Sequence, residues 1–308
     1  MRIAIVGSGG VGGYFGARLA AAGADVAFIA RGAHLDAMRS RGLLVHSPLG
    51  DVHLSRVLAT DEPSAIGPVD VVLFTVKLYD TESAIAHLPP LIGPETVVVP
   101  FQNGVDAVDR LMRAVGREHT AGGAAYVAAT VAEPGVIRHT ANNRLLFGEL
   151  DGTRSQRLEG LLDACRSGEI DATLSEHIEV DIWTKFVWLT VLSGVTTVTR
   201  LPIGRIRDDA DLVALCQAAM MEGMAVAHAK GISLPVTVLD DLVPGLQRLP
   251  PQAKSSMLED LERGRPLELP WLSGAVVRIG EELGVLAPTH RFITTVLAPH
   301  AGGQRPPA

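Results

Sequence analysis

The stretch Gly7-Ser8-Gly9-Gly10-Val11-Gly12 follows directly on the apolar run Ile3 to Val6, and it restricts the fold more than any other part of the chain. The run reads as a buried parallel strand. The residues after it, with Tyr14, Arg18, Leu19 and Ala22 before a stop at Gly23, read as a helix. The spacing of Gly7, Gly9 and Gly12 between strand and helix is the dinucleotide fingerprint. Gly7 permits a tight turn, Gly9 lets a pyrophosphate reach the backbone, and Gly12 lets the helix lie close to the strand. The phosphates of a nucleotide would rest on helix N-terminal N–H groups, where the macrodipole is positive. Gly7, Ser8, Gly9, Gly10, Val11 and Gly12 are the candidate phosphate cradle. Glycine-rich turns are common, so the flanking strand and helix carry the assignment.

A chain of 308 residues exceeds one typical core and implies two domains. The net charge of −7 argues against a nucleic-acid surface. It leaves an anionic small molecule open, because local charge can override the global sign. Cys165 and Cys216 each stand alone in apolar helical patterns and read as core residues. No CxxC or HExxH occurs, so no metal site is expected. A strand that begins at the second residue leaves no signal peptide before the fold. The uncharged stretch Phe186 to Thr199 is too short to span a bilayer. A soluble cytoplasmic protein is expected, without membrane or nucleic-acid partners.

The second strand, Asp25 to Ala30, ends at Arg31. This is the position that reads the adenosine ribose, where NAD enzymes tend to place an acid that accepts from the 2′-hydroxyl. An arginine fork can instead bind a 2′-phosphate, so NADPH is favoured. The alternative is an ordinary exposed arginine. A helix over Gly32 to Arg41 and a hairpin over Leu43 to Ser55 follow. Val69 to Val76 and Thr96 to Pro100 are further buried strands, with Lys77 and Asn103 just beyond their carboxyl ends, where open α/β sheets bind ligands. Ala124 to Thr130 and Val136 to Thr140 flank a turn at Glu133-Pro134-Gly135. Arg144 to Leu150 reads as an additional strand. The fold class is an α/β, Rossmann-type doubly wound sheet over residues 1–176, followed by an all-α domain over 177–300 and a disordered tail, 301–308.

In the helical half, Lys185 precedes a long uncharged run. Lysines are rarely buried without a partner. Burial lowers a lysine's pKa and a nearby carboxylate counters that. Glu268, in Pro266-Leu267-Glu268-Leu269-Pro270, is a candidate partner. A lysine snorkelling from a helix end is the alternative. Helices are expected over Asp211 to Lys230, near Ala253 to Arg263, from Pro270 to Gly284, and from Pro288.

The chain resembles the ketopantoate reductases (2-dehydropantoate 2-reductases) over nearly its whole length. The resemblance rests on the glycine motif, Val76-Lys77, Gln102-Asn103-Gly104, Trp183-Thr184-Lys185-Phe186 and the run from Lys254-Ser255-Ser256 to Glu268. It implies NADPH-dependent reduction of a 2-keto acid, 2-dehydropantoate to pantoate, in pantothenate biosynthesis. It makes Lys185 the proton donor and Glu268 an acid that contacts the cofactor and helps set the active site. Lys77 and Asn103 fall on the cofactor side, with Asn103 also near substrate. Arg31 falls on the 2′-phosphate contact, Ala128 on a backbone contact near the nicotinamide, and Ser256 on a substrate-anchoring hydroxyl. Leu189, Ser193, Ile203 and Ala253 stand where the family presents asparagines, and Pro270 replaces an acid. A more apolar keto acid or an imine is therefore an alternative substrate, and a non-catalytic NADP sensor an alternative function. A second copy of the chain is the one macromolecular partner left open.

Overall fold

A computed structural model describes residues 1–304. The chain forms two compact units, Met1–Asp181 and the remainder from Ile182.

The first unit contains, in order, β1 (Arg2–Val6), α1 (Gly10–Ala21), β2 (Asp25–Ile29), α2 (Gly32–Arg41), β3 (Leu43–His46), β4 (Val52–Leu54), β5 (Leu58–Thr60), β6 (Val69–Phe74), α3 (Thr81–Ile85), β7 (Ile92–Pro100), α4 (Ala107–Val115), β8 (Gly122–Glu133), β9 (Val136–Gly148), α5 (Gln156–Ser167) and β10 (Asp171–Leu174). Five strands make a parallel sheet in the order β5-β2-β1-β6-β7. The order reverses beside β1, and that is where such sheets receive ligands. Both faces are covered, so the strands are apolar through their central residues. Ile3 and Ile5 enter one core cluster, while Ala4 and Val6 enter the cluster on the opposite face. The remaining strands form a second, mixed sheet, β10-β9-β3-β4 with β8 paired to β9.

Helix α1 touches both sheets, packing on β1 and β2 and on β3, β4, β8 and β9. A helix covered on both sides is largely apolar, and residues Gly12 to Leu19 are all buried, Arg18 among them with its guanidinium donating to Leu49 O. Glycines permit the close approach. A Cβ on Gly12 would lie 2.4 Å from the Gly7 carbonyl oxygen and the same distance from Thr75 Oγ1, and one on Gly13 would lie 2.9 Å from Ile137 of β9.

The second unit is helical. It takes most of α6 (Ile178–Thr199), then α7 (Ile203–Arg207), α8 (Ala210–Ala229), α9 (Thr237–Asp240), α10 (Leu242–Arg248), α11 (Ser256–Glu262), α12 (Ser273–Leu283) and α13 (Pro288–Leu297). Among the described residues, α8 alone is long and apolar enough to cross a membrane by length and composition. It packs against α7, α12 and α13, and its Glu222 carboxylate accepts the Thr289 and His290 N–H groups that open α13. Cys165 and Cys216 are both buried free thiols, their pKa values pushed up to about 12 by burial.

Three expectations change. Arg144 to Leu150 is not a separate strand: β9 runs unbroken from Val136 to Gly148. The Ala141-Asn142-Asn143 segment looks like a turn in sequence, but there the strand only kinks, with Asn142 at φ 58° and the β8 register shifting nearby. Pro270 does not open a long helix. It sits in a 3₁₀ turn, Leu269–Trp271, and α12 begins after Leu272 leaves the helical region. Residues 301–304 are not disordered. Ala301 O accepts from Leu267 N (2.9 Å) and Gln304 N donates to Gly264 O (3.0 Å). The rest of the expected tail, 305–308, lies outside the described residues.

Replacing Gly12 by alanine should force α1 off β1. The expected loss is about 1–3 kcal/mol of stability, seen as a lower urea midpoint, and the cradle should lose nucleotide affinity with it. An unchanged midpoint would contradict this packing.

Candidate active site

The glycine loop leaves β1 at Gly7, whose φ of 98° suits glycine. Gly7 and Ser8 both donate their N–H to Ile29 O at 3.2 Å, and Ser8 Oγ donates to the same carbonyl at 3.0 Å. These bonds spend the first N–H groups of the loop and lock it to the end of β2. Gly9 is the N-cap of α1 and offers no side chain to cap it. The N–H groups of the first helical turn, Gly10 to Gly12, have no partner within the helix. Space beside Gly9 is open, with nothing within 4 Å of where a Cβ would stand. This cradle fits a pyrophosphate: donors point out of a positive helix end, and no side chain blocks approach. At Gly10 a Cβ would lie 2.1 Å from Ala129 O. That contact brings the Ala128–Thr130 segment of β8 onto the rim of the cradle, with Ala128 exposed.

Two residues that sequence reasoning passed over complete the loop. Thr75 Oγ1 donates to Gly7 O at 2.8 Å. His34, on α2, accepts from Gly135 N at Nδ1 (3.0 Å), so its Nε2–H donates to Ser8 O (2.8 Å). Burial lowers the pKa of this ring, the Ser8 bond opposing, and the neutral tautomer suits both contacts. Neither residue belongs to a local motif, so nothing in the sequence flagged them.

The other candidates of the first unit lie at strand ends. Arg31 is exposed at the N-cap of α2, two residues beyond Ile29. Its Nη2 meets Asp80 Oδ2 at 2.7 Å. Lys77 is exposed just past β6, and Asn103 is half-buried just past β7. Gln102, buried beside Asn103, donates from Nε2 to Val76 O and Thr81 Oγ1, both at 2.9 Å. It fastens the loop carrying Lys77 to the end of β7.

In the second unit, Ile182, Trp183, Phe186 and Val187 bury one side of α6, with Trp183 and Phe186 edge to face at 5.3 Å. Lys185 lies on the adjoining side, half-buried, with Leu189 one turn on. Burial lowers the Lys185 pKa to about 8, and the Glu268 carboxylate opposes that shift. Glu268 is only 5% exposed. The structure therefore brings together the lysine and the acid that the sequence left apart.

The segment before Glu268 is built to hold it. Ser255 caps α11 by accepting from Leu258 N and also bonds Thr196 Oγ1 at 2.6 Å. Lys254 Nζ grips both carboxylate oxygens of Glu262. Ser256 is exposed at the first position of α11. Ser193 is fully buried and its hydroxyl donates back to Leu189 O at 2.6 Å. Ile203 lies in the apolar cluster with Val187 and Val191, and Ala253 is half-buried. No group of three or more potential metal ligands occurs among the described residues.

The ketopantoate reductase family model matches residues 3–152, and the model of that family's C-terminal part matches 177–301. The chain is 32% identical over 319 residues to a 2-dehydropantoate 2-reductase of Mesorhizobium japonicum, covering 97% of this chain and 96% of the relative. It is 31% identical over 289 residues to an uncharacterized oxidoreductase, YkpB, of Bacillus subtilis, covering 94% and 95%. The crystal structure of a 2-dehydropantoate 2-reductase from Geobacter metallireducens superposes with a TM-score of 0.91 at 30% identity, covering 97% and 99% of the two chains. With both halves matched and a cradle, a lysine and an acid in place, the chain is an oxidoreductase of the ketopantoate reductase family.

Proposed function

We propose that the protein reduces a 2-keto acid to a 2-hydroxy acid with NADPH, 2-dehydropantoate being the substrate, in the cytoplasm. On this reading residues 1–176 hold the nucleotide and 177–300 supply the acid. The observation that carries it is the half-buried Lys185 with Glu268 acting on it. The cradle from Gly7 to Gly12 holds the pyrophosphate, Arg31 the 2′-phosphate, and Lys77, Asn103, Ala128 and Glu268 the rest of the cofactor. When bound, NADPH supplies the hydride that adds to the keto carbon. Lys185 faces the oxygen on which negative charge grows, and its ammonium stabilises that charge and delivers the proton. Glu268 keeps the amine protonated near neutral pH, because it offsets part of the cost of burial. Asn103 and Ser256 anchor the substrate. On this reading a second copy of the chain is the one macromolecular partner.

A second reading keeps this chemistry and changes the substrate to a keto acid with an apolar side chain. The Ser193 hydroxyl is taken by Leu189 O and Leu189 itself is apolar. A site without free hydrogen-bonding groups reads a substrate hydroxyl weakly. Oxidation of NADPH against a panel of keto acids, each run beside NADH, separates the two. Preference for 2-dehydropantoate supports the first reading, and preference for branched apolar keto acids supports the second.

Lys185→Ala should lower kcat roughly 10²–10⁴-fold while NADPH affinity, measured by cofactor fluorescence, stays near wild type. Full turnover in this variant would remove Lys185 from its role. The protonated amine is the active form, so kcat/KM should fall as pH rises through about 8. Glu268→Gln removes the carboxylate that holds the amine's pKa up. The descending limb should then move to lower pH, and a limb that stayed in place would break the proposed coupling.

A further inference from the structure

Asp80 closes the 3₁₀ turn Leu78–Asp80 that runs directly into α3, and its side chain makes no capping bond. Its carboxylate reaches Arg31 at 2.7 Å. Its backbone is held in place: Asp80 N donates to Lys77 O, and Thr81 Oγ1 donates to Leu78 O and accepts from buried Gln102. The carboxylate side chain is 26% exposed, whereas the Arg31 side chain is 76% exposed. A largely sheltered acid therefore meets an exposed cation. Arg31 follows β2 and Asp80 follows β6, and these strands flank β1 on its two sides. The pair bridges the two loops beside the carboxyl end of β1, where the glycine loop starts.

The absence of an acid directly after β2 favoured NADPH in the sequence. The fold supplies that acid from a different strand. We propose that Asp80 is the residue that sets nucleotide discrimination in this enzyme. It competes with a 2′-phosphate for Arg31 and offers a 2′-hydroxyl the acceptor that NAD enzymes place at the end of their second strand. A 2′-phosphate must break the ion pair and then lie beside a carboxylate of its own sign, whereas a 2′-hydroxyl donates to that carboxylate and leaves the pair intact. The chain carries a reader for each nucleotide, bonded to one another. Wild-type enzyme accordingly binds NADH as well as NADPH, with a smaller preference than Arg31 alone would give.

This inference rests on the nicotinamide reading above, and binding can test it without a substrate. Dissociation constants for NADPH and NADH are measured by cofactor fluorescence in wild type, Asp80→Asn, Asp80→Ser and Arg31→Ala. Asparagine and serine both remove the charge at an uncapped position without adding bulk, and circular dichroism confirms that each variant is folded. Removing the charge should raise the preference for NADPH up to about fivefold, the scale of a solvent-exposed ion pair. NADH affinity should fall in both variants. Arg31→Ala should abolish the preference for NADPH. An unchanged or reduced preference in both Asp80 variants would overturn the role of Asp80. A wild-type chain that bound neither nucleotide would overturn the underlying reading instead. Retained NADPH preference in Arg31→Ala would show that Arg31 is not the phosphate reader.

Discussion

The enclosure of α1 between two sheets is the constraint on which the nucleotide-binding half depends. A helix pressed from both sides needs glycine at its closest approaches, and Gly12, Gly13 and Gly16 supply it, while Tyr14, Phe15 and Leu19 fill the core and the buried Arg18 donates to Leu49 O. The same compression decides where the helix begins. With Gly12 against Gly7 O and Gly10 against Ala129 O, the first turn is fixed and its N–H groups are left for a ligand. Packing and phosphate recognition are thus one solution, since the missing side chains serve both.

The second half solves a different electrostatic problem. An amine taken part of the way out of water tends to lose its proton, and a carboxylate beside it tends to keep it. The two effects leave Lys185 at about 8, charged at neutral pH yet far weaker a base than an exposed lysine. An acid of that strength is suited to giving a proton to a forming alkoxide. The segment from Lys254 to Arg265 is short and closely bonded, and it leads directly into the stretch that carries Glu268.

What the sequence disclosed follows from how local each signal was. The glycine loop, the strands of the parallel sheet and Lys185 were legible, because apolar periodicity and a misplaced charge show within a few residues. The α8 and α13 helices were legible from their stops and their opening proline. The roles of His34, Thr75, Gln102 and Asp80 were not, since each depends on strands distant in sequence becoming neighbours. Asn142 misled for the opposite reason: a residue that favours turns was accommodated by a kink inside a longer strand. Arg31 was read correctly for position but without its partner, which arrives from a loop some fifty residues away.

The last described residues lend a backbone bond to Leu267 through Ala301 O and another to Gly264 through Gln304 N. Leu267 is the immediate neighbour of Glu268. The stretch after α13 is thus a stay for the segment that carries Glu268. Clipping the chain just after α13 would remove both bonds and slacken the backbone beside Glu268.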